Sequence, residues 1–172
     1  LQQSSAASDV YKRQIYMNLN VEKILIIGLG MIGSSIALAS KSKGIKVYGF
    51  DKSNNSIKEA LEKNIIDSKV ESMLDINLKD FVKKVDLIIV AVPPKQTLDV
   101  LNDLKNIWNT DVTITDTSSV KNHIKLNGVS NIILSHPIAG SDQSGISAAN
   151  GDLFKNKKNV LCDPFNLSLI HI

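Results

Sequence analysis

Between Val21 and Asp51 the chain reads VEKILIIGLGMIGSSIALASKSKGIKVYGFD, and no other stretch limits its possible folds as strongly. The apolar run 24–27 suits a strand buried on both faces, and it stops at Gly28. Gly28, Gly30 and Gly33 then follow in G-x-G-x-x-G spacing. The first permits a tight turn, the second lets backbone approach a pyrophosphate, and the third lets helix pack closely on strand. A helix over 31–43, capped by Gly44, would aim its unpaired N–H groups and positive dipole end at that anion. Met31 and Ile32 lie in its first turn, so they join the three glycines as candidates for holding a dinucleotide. A strand over 46–50 ends at Asp51, 18 residues beyond Gly33. A carboxylate there accepts hydrogen bonds from a ribose diol and repels a 2′-phosphate, which favours NAD over NADP. The adjacent Lys52 weakens that preference. The plainer alternative makes the glycines packing turns in an α/β sheet.

The 172 residues suit about one domain, and 43% hydrophobic with 22% charged residues is ordinary for a globular chain. No apolar run reaches the length of a membrane span. The single Cys162 excludes an internal disulfide and a cysteine-rich metal site, which suits a reducing cytoplasm. His123, His136 and His171 are not at metal-ligand spacing, so no metal is expected. A formal net charge of +3 without basic stripes does not point to nucleic acid. Residues 1–16 lack periodicity and precede Met17, and residues 163–172 have the same character. Both ends are expected to be non-native flanks around a dinucleotide-binding unit at 17–162.

Beyond Asp51 the pattern predicts an exposed helix over 53–63, a short strand near 69–73 and a short helix over 78–84. A central strand over 87–92 breaks at Pro93–Pro94 and an amphipathic helix over 95–108 follows. A strand over 112–115 runs into the turn TDTSSVK, then a short helix over 120–126 and a strand over 131–134 ending in SHPIAGSD. Strands alternating with helices predict a doubly wound parallel sheet. Ligands of such sheets sit at the carboxyl ends of the strands. The turns GLGMIG, AVPP, TDTSSVK and SHPIAGSDQSG are therefore expected along one edge.

Those turns hold the chemical candidates. His136 ends its strand, and imidazole is the side chain best matched to taking a hydroxyl proton near neutral pH; a structural histidine is the plain alternative. Ser119 follows Thr117 and Ser118, where a helix-capping role competes with orienting a substrate. Lys121 either anchors a carboxylate or is a solvated first-turn lysine. Val92 and Pro93 sit where backbone can pack against a nicotinamide ring.

The combination of GLGMIG, AVPP, TDTSSVK and above all SHPIAGSDQSGISAANGDLF resembles the nucleotide-binding domain of the prephenate dehydrogenase family, which includes arogenate and cyclohexadienyl dehydrogenases. The resemblance runs from Lys23 to about Leu161. It implies a Rossmann-type domain that binds NAD and a small-molecule substrate in tyrosine biosynthesis. It implies that His136 accepts the proton of the ring 4-hydroxyl of prephenate, and that Ser119 orients that histidine or the hydroxyl. Ser141 would lie near substrate or nicotinamide. Family members add a helical C-terminal domain that supplies a substrate-clamping arginine and a homodimer interface. Here the only arginine is Arg13, in the presumed flank, so the fragment is expected to bind NAD without appreciable turnover. A 3-hydroxyacid-type dehydrogenase and a non-catalytic NAD-binding module are the competing readings.

Overall fold

In β1 (Lys23–Ile27) every residue from Ile24 to Ile27 is at most 2% exposed, as a strand covered on both faces requires. Leu25 and Ile27 join one apolar cluster, Ile24 and Ile26 the other. This alternation is the two-residue period of a strand, and it separates two helical layers. The computed structural model describes residues 21–71, 84–105, 110–121, 129–162 and 169–170. α1 (Met31–Lys41) and α2 (Asn54–Glu62) place Ala37, Ile57 and Ala60 in the cluster with Ile24 and Ile26. α3 (Pro94–Asp103) places Val100 and Leu101 in the other.

The remaining strands are β2 (Lys46–Phe50), β3 (Ser68–Lys69), β4 (Leu87–Val90), β5 (Thr113–Asp116), β6 (Ile132–Pro137), β7 (Asn159–Cys162) and β8 (Leu169–Ile170). They form one sheet in the order β3-β2-β1-β4-β5-β6-β7-β8. Neighbours from β3 to β6 are parallel, whereas β7 lies antiparallel on β6 and β8 antiparallel on β7. The expected doubly wound parallel sheet is therefore present, with an antiparallel edge added. In register, Ile27 pairs with Phe50 and Val90, and Val90 with Asp116. The carboxyl ends of four strands consequently stand level, and the strand order reverses between β1 and β4.

Several boundaries differ from expectation for local reasons. α1 stops at Lys41 because Gly44, at φ +79°, reverses the chain while its N–H bonds back to the Lys41 carbonyl. Ser53 caps α2, its hydroxyl accepting from Ser56 N. β4 ends at Val90, and Pro94 begins α3 instead of merely ending a strand; proline suits a first helical turn, where no partner awaits its missing N–H. The third strand is confined to two residues. The short helix expected over 120–126 does not include Val120 and Lys121, which are irregular, and 122–126 lie outside the described residues. The helix expected over 78–84 falls outside them except for Lys84, and the end of the 95–108 helix does so at 106–108. No helix among the described residues is long and apolar enough to cross a membrane.

Asp67 ties the amino end of β2 to the carboxyl end of α1, accepting from Val47 N at 2.7 Å and pairing with Lys41 at 2.8 Å. Burial alone would raise its carboxyl; the Lys41 and Val47 hydrogen bonds, with the charges of Lys41 and Lys46, hold it below its ordinary value. A depressed carboxylate contributes stability above its unfolded pKa and loses it as pH falls through the folded one. Asp67→Asn should therefore flatten the acid limb of a denaturation-midpoint-against-pH curve. An unchanged limb would show that this tie carries no pH-linked stability.

Candidate functional site

Where the strand order reverses, the loops after β1, β2, β4, β5 and β6 enclose a cavity of about 660 Å³. A doubly wound sheet leaves such a crevice because its two halves depart in opposite directions. Gly28, Gly30, Met31 and Ile32 line it from the glycine turn, Asp51 from β2, Val92 and Pro93 from the β4 turn, Ser119 from the β5 turn and His136 from β6.

The three glycines do different work. Gly28 takes φ +98°, and a side chain there would approach the Ala91 carbonyl oxygen to 2.6 Å. At Gly33 a Cβ would fall 1.9 Å from the Gly28 oxygen, so this position serves helix–strand contact and does not line the cavity. Nothing lies within 4 Å of a Cβ at Gly30. No protein group demands that glycine, yet it faces the cavity at the start of α1, which is where a helix terminus receives an anion. Asp51 braces the same turn: Oδ2 accepts from Leu29 N at 2.7 Å and Oδ1 from Ser53 N at 2.8 Å. Each oxygen keeps a lone pair for a ribose hydroxyl. The residues present thus fit a dinucleotide.

At the far end His136 is half-buried, with Nδ1 3.4 Å from the Thr117 carbonyl oxygen. Ser119 is exposed in the same lining. Within this turn the Ser118 Oγ accepts from Val120 N at 3.2 Å, and residues 122–126 of the helix that Ser119 was expected to cap lie outside the described residues. Two expected substrate contacts are placed elsewhere. Ser141 is exposed outside the cavity lining, its Oγ accepting from Gln143 N at 3.0 Å, so it shapes its own loop. Lys121 is also outside the lining; its ammonium donates to Asp116 Oδ1 at 2.6 Å, to Oδ2, and to the Ser135 carbonyl at 2.8 Å. The Asp116 carboxylate is fully buried and requires a counter-charge, which draws Lys121 inward. Burial lowers the Lys121 ammonium below its usual range, although Asp116 opposes this. Among the described residues no group of three His, Cys, Asp or Glu side chains is placed to hold a metal ion.

Sequence reasoning missed Asp116, and it gave Gln143 no place in the cavity wall. An acid at a strand end with a lysine five residues on was the available signal for Asp116.

The family model for the prephenate dehydrogenase nucleotide-binding domain matches residues 36–166. The chain belongs to the prephenate dehydrogenase family. It is 34% identical over 154 residues to prephenate dehydrogenase of Bacillus subtilis, covering 84% of this chain and 40% of the relative. It is 39% identical over 153 residues to that of Lactococcus lactis, covering 83% and 41%. The chain therefore spans about two fifths of the length of these curated relatives. Prephenate dehydrogenase from Aquifex aeolicus, crystallised with hydroxyphenyl propionate and NAD+, superposes with a TM-score of 0.74 at 29% identity, over 85% of this chain and 52% of that one. A nucleotide-binding Rossmann-type fold and dehydrogenase ancestry are thus shared features of this family and this chain.

The glycines separate ligand demand from packing demand. Gly30→Ala should leave thermal stability unchanged while weakening NADH binding about tenfold or more, which is ~1.4 kcal/mol. Gly33→Ala should destabilise the chain by about 1–3 kcal/mol or more through backbone overlap. Equal NADH affinity for wild type and Gly30→Ala, read by fluorescence titration, would remove the pyrophosphate from this turn.

Proposed function

We propose that this chain is the NAD-binding part of a dehydrogenase that oxidatively decarboxylates prephenate to 4-hydroxyphenylpyruvate in tyrosine biosynthesis. The observation that carries the reading is one cavity bearing a dinucleotide-type turn at one end and a strand-end imidazole at the other. Gly28, Gly30, Met31 and Ile32 would hold the pyrophosphate, Asp51 the adenosine ribose, and Val92 with Pro93 would back the nicotinamide. The oriented Asp51 carboxylate favours NAD over NADP, since a 2′-phosphate would face a negative charge. Residues 1–16 and 163–172 take no part in this assignment.

When bound, NAD supplies the hydride acceptor for the carbon that carries the substrate hydroxyl. His136 takes the hydroxyl proton as that carbon is oxidised, which keeps charge from building on the substrate oxygen. Loss of the ring carboxylate as CO2 then returns electrons to the oxygen and makes the ring aromatic. The same imidazole hands the proton back to the resulting phenolate, so His136 leaves the cycle unchanged. Ser119, in the same lining, orients the hydroxyl or the ring of the histidine. The two carboxylates of prephenate call for a guanidinium clamp, and the only arginine of the sequence is Arg13. We therefore assign substrate clamping, and with it a homodimer interface, to sequence of the kind that makes up the remaining length of the relatives.

The 172-residue chain should bind NADH and form no appreciable NADH from prephenate. Fused to the remaining length of the Bacillus subtilis relative, it should turn prephenate over, and His136→Asn should lower kcat about 10²–10⁴-fold at unchanged NADH affinity. Unchanged turnover in the histidine variant would sink the assignment of the base. Preference for arogenate in the same assay would replace the substrate while keeping the mechanism.

A further inference from the structure

At the base of the β5 turn lies a cluster of buried polar groups, of which Ser118 reaches the cavity lining while Asp116, Lys121 and Ser135 do not. Asp116, Ser118 and Ser135 are 0%, 3% and 5% exposed, and the Lys121 side chain only 17%. Every polar atom of the cluster has a partner, which is the condition under which such a network rigidifies instead of weakening a core. Asp116 Oδ2 accepts from Ser118 N at 3.0 Å, and Oδ1 accepts from Ser135 N at 3.1 Å. The Ser135 hydroxyl donates to the Asp116 carbonyl at 2.7 Å, and Lys121 Nζ donates to the Ser135 carbonyl at 2.8 Å. One ion pair therefore fixes the backbone on both sides of Thr117 and all of Ser135, the residue before His136.

Thr117 and His136 are the two ends of a single contact, Nδ1 to carbonyl oxygen at 3.4 Å. A carbonyl only accepts, so this contact requires the proton on Nδ1 and leaves Nε2 as the basic nitrogen. We propose that the buried Asp116–Lys121 pair is a positioning device that holds the Thr117 carbonyl against His136 and thereby sets the imidazole tautomer. Asp116 and Lys121 are positioning residues: neither lines the cavity. Their value to catalysis rests on His136 being the base, whereas the tautomer itself does not. The network also accounts for an acid and a lysine sharing the turn TDTSSVK, since the strand end must be locked to β6 before its carbonyl can serve as a fixed acceptor.

The test is the 15N spectrum of the His136 ring in the purified 172-residue chain, recorded on neutral imidazole together with NADH affinity. Wild type should show the Nδ1–H tautomer, and Lys121→Arg should retain it. Asp116→Asn, and the double variant Asp116→Asn with Lys121→Met, which leaves no unpaired buried charge, should shift His136 mainly to Nε2–H at unchanged NADH affinity. Wild type already in the Nε2–H form would overturn the proposal whatever the variants do. Folded variants that keep Nδ1–H would overturn the role of the pair, and so would failure of both Asp116 variants to fold, because the pair would then hold the fold and not the ring. Since no turnover is measured, an inactive chimera would count against the proposed reaction and leave this result intact.

Discussion

The close approach of α1 to the end of β1 sets the rest of the site. At Gly33 the first turn of α1 comes so near β1 that a methyl group would meet the Gly28 carbonyl oxygen at 1.9 Å. Only with both positions as glycine can the helix start directly over the strand end. That start is where unpaired N–H groups gather, and Gly30 keeps the space above them open. Asp51 then fixes the turn from the neighbouring strand by accepting from Leu29 N. The anion site, the ribose carboxylate and the mouth of the cavity all follow from that one contact between helix and strand.

The other half of the site depends on register. Parallel pairing of β4, β5 and β6 brings Val90, Asp116 and Leu134 level, so the turns that follow open on the same edge as the glycine turn. β6 continues to Pro137 and carries His136 beyond its neighbours. β7 supports that extension, with Val160 opposite His136. An antiparallel strand thus holds the histidine where a parallel sheet alone would have ended.

The parts of the fold legible in the sequence are those governed by local rules. The run 24–27, the glycine spacing and the acid at 51 marked β1, α1 and β2 within two residues, because burial on both faces and positive φ leave few alternatives. His136 and Ser119 were singled out through the SHPIAGSDQSG and TDTSSVK turns and the resemblance those turns carry, and both line the cavity. Lys121 and Ser141 lie outside the cavity lining because side-chain direction in an irregular turn is decided by tertiary partners. Lys121 turns inward to a carboxylate on β5, and Ser141 turns along its own loop. β7 was missed for a related reason: NVLC is too short to show a period, and only pairing with β6 makes it a strand.

The central claim is that one crevice holds a dinucleotide with its reactive end at His136. A crystal structure of this chain grown with NAD tests it most directly. The account predicts pyrophosphate over Gly30 and the start of α1, a ribose hydroxyl on Asp51, and the nicotinamide beside Pro93 with His136 facing the open side. A nucleotide bound in the crevice with its nicotinamide turned away from His136, or bound elsewhere on the chain, would contradict it.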